Sequence, residues 1–263
     1  MLAKLLKYEI PAMGRKLLPL YLAWLASSVL FGISLGRMQG TGFFDIITPV
    51  IYGIVTTAVF VMYIILIIQR YNSSLLGDEA YFNLTLPVTA SEHIANKALS
   101  AVIWTVITGL AAFISVLIIG LCSGGMNDLF NFQTFRNFFT ALSRIRGSAV
   151  LVFIEVLIVF ILSTVKSILA VYAAITIGHQ ARQRTTLASI GAYIVLAIIE
   201  SSVGSILIRL GIVTETYIGL SEALSDLSAF NLLMGISFVV TLALSTFYFF
   251  ICKYLMEKRL NLA

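Results

Sequence analysis

The chain has 263 residues, of which 60% are hydrophobic and only 11% charged, and its formal net charge is +5. A soluble domain carries roughly a quarter charged residues, so this composition, with a mean hydropathy of +1.02, excludes a water-facing globule and points to one polytopic bundle over residues 1–263. The positive balance is no nucleic-acid signature, because the basic residues flank apolar runs and no basic tract is interleaved with aromatics.

In chain order, residues 2–13 place Leu2, Leu5, Leu6 and Met13 near one helical face, with Lys4 and Lys7 off it. That predicts a short amphipathic helix lying in the membrane surface; a basic tail broken at Pro11 is the plainer alternative. The first apolar run, Leu17 to Gly36, is longer than a signal-peptide core and long enough to cross a bilayer, so it is read as an uncleaved first span. Further runs at 46–68, 97–121, 149–175, 187–207 and 229–252 complete six predicted spans, each able to cross about 30 Å of hydrocarbon. No alternating barrel pattern recurs, and helices satisfy every backbone group internally, so the predicted fold class is all-α.

Orientation follows from the basic residues. With the N-terminus inside, Lys4, Lys7, Arg15, Lys16, Arg70, Lys97, Arg182, Arg184 and the C-terminal Lys253, Lys258 and Arg259 fall on cytoplasmic segments. Arg37, Arg136, Arg144, Arg146 and Arg209 fall outside, a bias of roughly two to one that predicts both termini in the cytoplasm.

Two cytoplasmic loops result. The first, about 69–96, holds a short amphipathic stretch at 73–84 with Asp78 and Glu79, then Pro87 and a T-x-x-E capping box, Thr89 and Glu92, that starts the helix of span three. The second, about 178–186, is short and basic, with His179, Arg182 and Arg184. On the external side, the Phe-rich 126–146 predicts an interfacial helix, and the mixed apolar and acidic 208–228 is able to dip back into the membrane.

Chemistry is sparse. Gly32-Ile33-Ser34-Leu35-Gly36 matches the G-x-S-x-G nucleophile pattern, but it ends a predicted membrane helix, and His93 and His179 are predicted on the other face. The same letters spell G-x-x-x-G, a small-residue face for close helix packing. No Walker sequence and no H-E-x-x-H occur, and no catalytic residue is assigned. Both histidines read as solvated loop residues. Cys122 and Cys252 are predicted on opposite faces and read as small apolar fillers.

Three ionisable residues lie inside spans: Glu155 and Lys166 in span four and Glu200 in span five. Each costs roughly 2.5–3.5 kcal/mol at mid-bilayer on insertion scales, so they are expected to face protein or a polar pathway. Glu155, Ser163 and Lys166 share one helical stripe, but Glu155 and Lys166 are about 16 Å apart along it, too far for a direct pair. They line either a translocation path or a subunit interface, or they pair with neighbouring helices for structure alone. Small residues at Ala197, Ser201 and Ser205, and at Ala170, Ala174 and Gly178, offer further close-packing faces.

Several segments together resemble the permease subunit of ABC-2-type exporters, in particular the small six-span permeases of Firmicutes. They are the opening MLAKLLKYEIPAMGRKLLPLYLA, the first-loop phrase with Gly77-Asp78-Glu79, Tyr81, Leu84-Thr85-Leu86-Pro87 and Lys97, and the ending with Lys258-Arg259-Leu260-Asn261-Leu262. The resemblance covers the whole chain in architecture and about a fifth of it in motif. It implies two permeases, copies or paralogues, in the plasma membrane, joined to a pair of cytosolic ATPases that bind ATP and Mg; this chain itself would bind no cofactor. It also implies export of drugs, peptides, bacteriocins or glycan precursors. A coupling helix in the first loop would meet the ATPase through Asp78 and Glu79 and an apolar plug of Leu75, Leu76, Tyr81 and Phe82. Pro87, Thr89 and Glu92 would fix its angle to span three, and the G-x-x-x-G face at Gly32 and Gly36 would serve the permease dimer. The rival readings are a sensor or immunity protein that works without an ATPase and an ion-coupled carrier using Glu155, Lys166 and Glu200. An intramembrane enzyme lacks its constellation.

Overall fold

Apolar runs of this length leave the backbone one economical form, and the described residues of the computed structural model form six long helices. They are α1 (Leu2–Gly36), α2 (Phe43–Leu75), α3 (Ala90–Cys122), α4 (Ala149–Gly178), α5 (Thr185–Arg209) and α6 (Leu227–Lys258). The structure describes residues 2–37, 42–76, 89–124, 136, 140, 149–181, 184–209 and 227–258, among which there is no strand. Each expected span lies within one of these helices, and all six are long and apolar enough to cross a membrane. The chain is a multi-pass membrane protein, helical throughout its long described elements. Apolar side chains such as Phe153, Phe160, Ile194 and Ile198 stand exposed, which is the arrangement hydrocarbon favours and water opposes.

The helices outrun the spans read from hydropathy. Residues 2–13 continue without a break into the first span, through Pro11 and Pro19, so the opening is not a separate short helix. Helices α2 and α3 have 33 residues each, about 50 Å at 1.5 Å per residue, against about 30 Å of hydrocarbon. The surplus is polar: α2 ends in Gln69, Arg70, Asn72, Ser73 and Ser74, and α3 begins with Ser91, Glu92 and His93. Two readings of the first loop are thereby corrected. His93 is no solvated loop residue but lies buried in the first turn of α3, and Leu75 is fully buried at the end of α2, so it offers no exposed plug.

By its contacts the chain divides into two units, Met1–Arg70 with Ile103–Thr140, and Tyr71–Val102 with Ala141–Ala263. In the first unit, α1, α2 and α3 are stitched by polar side chains at successive levels. Trp24 Nε1 donates to Thr56 Oγ1 at 2.8 Å. The Tyr21 and Tyr52 hydroxyls meet Thr108 Oγ1 at 2.6 Å and Ser115 Oγ at 2.9 Å. Thr108 and Ser115 already donate to their own helix carbonyls, so the tyrosines are the donors. Arg70 Nε donates to Glu9 Oε1 at 3.1 Å. Interhelical bonds of this kind contribute about 0.6 kcal/mol each in a bilayer.

Gly32 and Gly36 also work inside this unit. A Cβ on Gly32 would lie 2.7 Å from Cys122 Cβ, and one on Gly36 would lie 2.9 Å from the Cys122 carbonyl oxygen. The small face lets α1 meet the end of α3. The close packing expected of this face is made within the chain, against Ile119, Cys122 and Ser123.

In the second unit α4 packs against both α5 and α6. Gly178, the last residue of α4, approaches α5 so closely that a Cβ would fall 1.9 Å from Ser189 Oγ and 2.5 Å from Ser189 N. Both cysteines are free; Cys252 is buried and Cys122 half-buried.

Candidate functional site

The contact of Gly178 with Ser189 sets the register of α4 and α5 and brings two intramembrane charges to one height. Lys166 precedes Gly178 by twelve residues and Glu200 follows Ser189 by eleven, rises of about 18 Å and about 17 Å along helices running in opposite directions. At that height Lys166 Nζ donates to Glu200 Oε1. Across from them on α6, the buried Tyr248 directs its hydroxyl at Glu200 Oε2 over 3.5 Å, a long bond.

The pair is not sealed. The Lys166 side chain is 14% exposed and that of Glu200 36%. Beside Glu200 lies a cavity of about 130 Å³, walled by the polar groups of Ser167, Tyr193, Glu200 and Tyr248 and by the apolar Ala170 and Leu196. Ser167 Oγ donates to the Ser163 carbonyl at 2.9 Å, so its lone pairs remain to accept. Chemically this is a charge-neutral ion pair beside a small polar chamber, in a region where each charge alone would be costly.

A second buried cluster lies in the same unit. The rings of Tyr71 and Tyr172 stack with centroids 3.9 Å apart. The Tyr71 hydroxyl donates to Thr176 Oγ1 at 2.8 Å, since Thr176 donates to the Tyr172 carbonyl. The Tyr172 hydroxyl donates to the Lys97 carbonyl at 3.3 Å, and Cys252 is buried in contact with Tyr71 and Thr176. The cluster is closed to solvent and joins the end of α2 and the start of α3 to α4 and α6 within the second unit.

The other candidate residues distribute as follows. Glu155 and Ser163 are half-buried on α4, and Glu155 lies about 16 Å from Lys166 along the helix, outside the ion-pair cluster. Ser201 and Ser205 are exposed on α5 and donate to the carbonyls of Ile198 and Ser201, both at 2.9 Å. Thr89 and Glu92 close a reciprocal cap: Thr89 N donates to Glu92 Oε2 at 3.1 Å, and Glu92 N to Thr89 Oγ1 at 3.4 Å. Leu76 is half-buried just past α2, and Arg184 is exposed just before α5. His179 is half-buried after α4, with Nδ1 3.1 Å from the Ile175 carbonyl oxygen. Asp78, Glu79, Tyr81, Phe82, Pro87 and Arg182 lie outside the described residues, as do nearly all of 126–146 and 208–228.

Sequence reasoning found both charges but not their partnership, and it missed Tyr248, Tyr193 and the Tyr71–Tyr172 stack. No local pattern marks them, because their partners are distant in sequence. Among the described residues no group of three or more His, Cys, Asp or Glu comes together as a metal site would need. No family model, no curated protein and no solved structure matches this chain.

Proposed function

We propose that the chain is the membrane-spanning permease subunit of an ABC-2-type exporter. It moves a drug-, peptide- or lipid-like substrate out of the cell with energy from ATP hydrolysed by a separate cytosolic ATPase. The assembly is two permeases and two ATPases in the plasma membrane, with both termini of this chain and the 77–88 segment cytoplasmic. The chain has no P-loop of its own, so energy must arrive through a surface that another protein grips.

The observation that carries this reading is the form of α3. It starts at the Thr89–Glu92 cap, directly after the loop phrase that resembles the family's coupling segment, and runs for 33 residues without a proline. With no proline along its length, α3 carries no built-in kink at which a displacement applied at the cap would be absorbed. The Lys166–Glu200 pair supplies a polar feature within the spans that a wholly structural bundle has little need of.

Gentle solubilisation of native membranes and affinity capture of the chain test this reading. An ABC ATPase recovered in a one-to-one ratio supports it. Capture of the intact chain with no ATPase, under conditions that preserve membrane complexes, contradicts it and favours an ATPase-independent sensor or carrier.

A further inference from the structure

We propose that the pocket beside the Lys166–Glu200 pair binds a primary alkylammonium group, with Lys166 as the resident cation that the ligand displaces from Glu200. The chemistry of the lining selects the ligand. Ser167, Tyr193, Glu200 and Tyr248 contribute hydroxyl lone pairs, a carboxylate and two aromatic rings. Acceptors and ring faces attract cations and offer an anion little. Glu200 is not saturated: an ionised carboxylate accepts about four hydrogen bonds, and here it takes one from Lys166 and one long one, at 3.5 Å, from Tyr248.

Size limits the occupant. A cavity of about 130 Å³ is close to the roughly 150 Å³ that accommodates a benzene ring and well below the roughly 300–1,000 Å³ of drug-sized sites. It takes a head group and the first carbons behind it, not a whole peptide. The remainder has somewhere to lie, because Tyr193 on the wall is 47% exposed and the adjoining Ile194 and Ile198 are 53% and 58% exposed. An alkyl chain leaving the pocket meets an apolar helix face.

One carboxylate between two ammonium groups makes Lys166 a tethered competitor. Removing it must tighten ligand binding, whereas a purely structural ion pair predicts no gain. The inference concerns binding to this chain alone and does not rest on export.

The test uses the full chain in nanodiscs of phosphatidylcholine, which has no primary amine, with radiolabelled dodecylammonium as probe, unlabelled butylammonium as competitor and empty discs as blank. Saturable binding to the wild type is expected, tightened about tenfold or more in Lys166→Met because the competent state no longer has to be won from Lys166. Binding should be absent in the uncharged double variant Lys166→Met/Glu200→Gln and weakened several-fold in Tyr193→Leu. Competition by butylammonium places the ligand source in water; indifference to it places the source in the bilayer, and either supports the site. Should Lys166→Met be unstable, added amine must restore its melting temperature. Lys166→Met that binds no tighter than wild type, Lys166→Met that recovers neither stability nor binding with amine present, or saturable binding to the double variant overturns the proposal.

Discussion

The ring of Tyr71 lies flat against that of Tyr172, with centroids 3.9 Å apart and planes 10° from parallel. Tyr71 lies one turn before the end of α2 and Tyr172 one turn before Thr176 on α4, so the stack and the Tyr71–Thr176 bond hold the two helix ends at a single point. Tyr71→Phe keeps the stack and loses the bond, and should cost about 1 kcal/mol. Tyr71→Ala loses both and should cost about 3–5 kcal/mol. Thermal unfolding in detergent checks the order; equal losses for the two variants would mean the stack contributes nothing.

Gly178 and Gly191 make a matched pair for testing the α4–α5 contact. At Gly178 a Cβ would meet the Ser189 backbone at 2.5–2.6 Å, whereas at Gly191 nothing lies within 4 Å. Gly178→Ala should push the helices apart and lower the melting temperature sharply. Gly191→Ala should be neutral or stabilising by up to about 1 kcal/mol, since alanine favours a helix over glycine. The same separation should appear in cross-linking of Lys166→Cys to Glu200→Cys, because the register that pairs them is set at Gly178.

Gly32→Ala should destabilise the single chain. Its Cβ would sit 2.7 Å from Cys122 Cβ and 3.0 Å from the Ile119 carbonyl oxygen. Light scattering on the solubilised protein should therefore show lowered thermal stability with an unchanged oligomeric state. A variant that keeps its stability and loses only its oligomer would return this face to an intersubunit role.

What was legible in the sequence was local. The six spans show because hydropathy is averaged over neighbours, and the Thr89–Glu92 cap shows because its partners are three residues apart. The closeness of glycines at 32 and 36 was equally plain, but their partner is Cys122 on another helix, and spacing on one helix cannot name the surface it meets. Lys166 and Glu200 were each conspicuous as charges in apolar runs; their bond spans 34 positions and depends on the register set at Gly178. Leu75 and His93 were misplaced for one reason: polar residues end a hydropathy window before they end a helix. Helices α2 and α3 run on past their apolar stretches and bury both side chains.

Orientation is testable at two exposed positions in a chain cleared of its native cysteines by Cys122→Ser and Cys252→Ala. Thr140 and Arg184 are both exposed and fall on opposite sides of span four. With both termini cytoplasmic, Thr140→Cys should react with a membrane-impermeant maleimide in intact cells, and Arg184→Cys should react only after lysis. The reverse pattern would invert the topology.

In the proposed function, work done by an ATPase enters this chain through residues 77–92. Its most direct measurement is ATP hydrolysis and substrate export in proteoliposomes holding the co-purified permease–ATPase complex, with wild type compared against Glu79→Ala, Tyr81→Ala and the cap variant Glu92→Ala. All three variants should keep the membrane fold. Glu79→Ala and Tyr81→Ala should lose ATPase binding or the export driven by each ATP hydrolysed. Glu92→Ala should still bind the ATPase but export less per ATP, because α3 loses the Glu92 half of its reciprocal cap, at most about 1 kcal/mol, at the point where the push enters. Wild-type export per ATP in all three variants would rule out entry at 77–92 and move the coupling surface to 178–186.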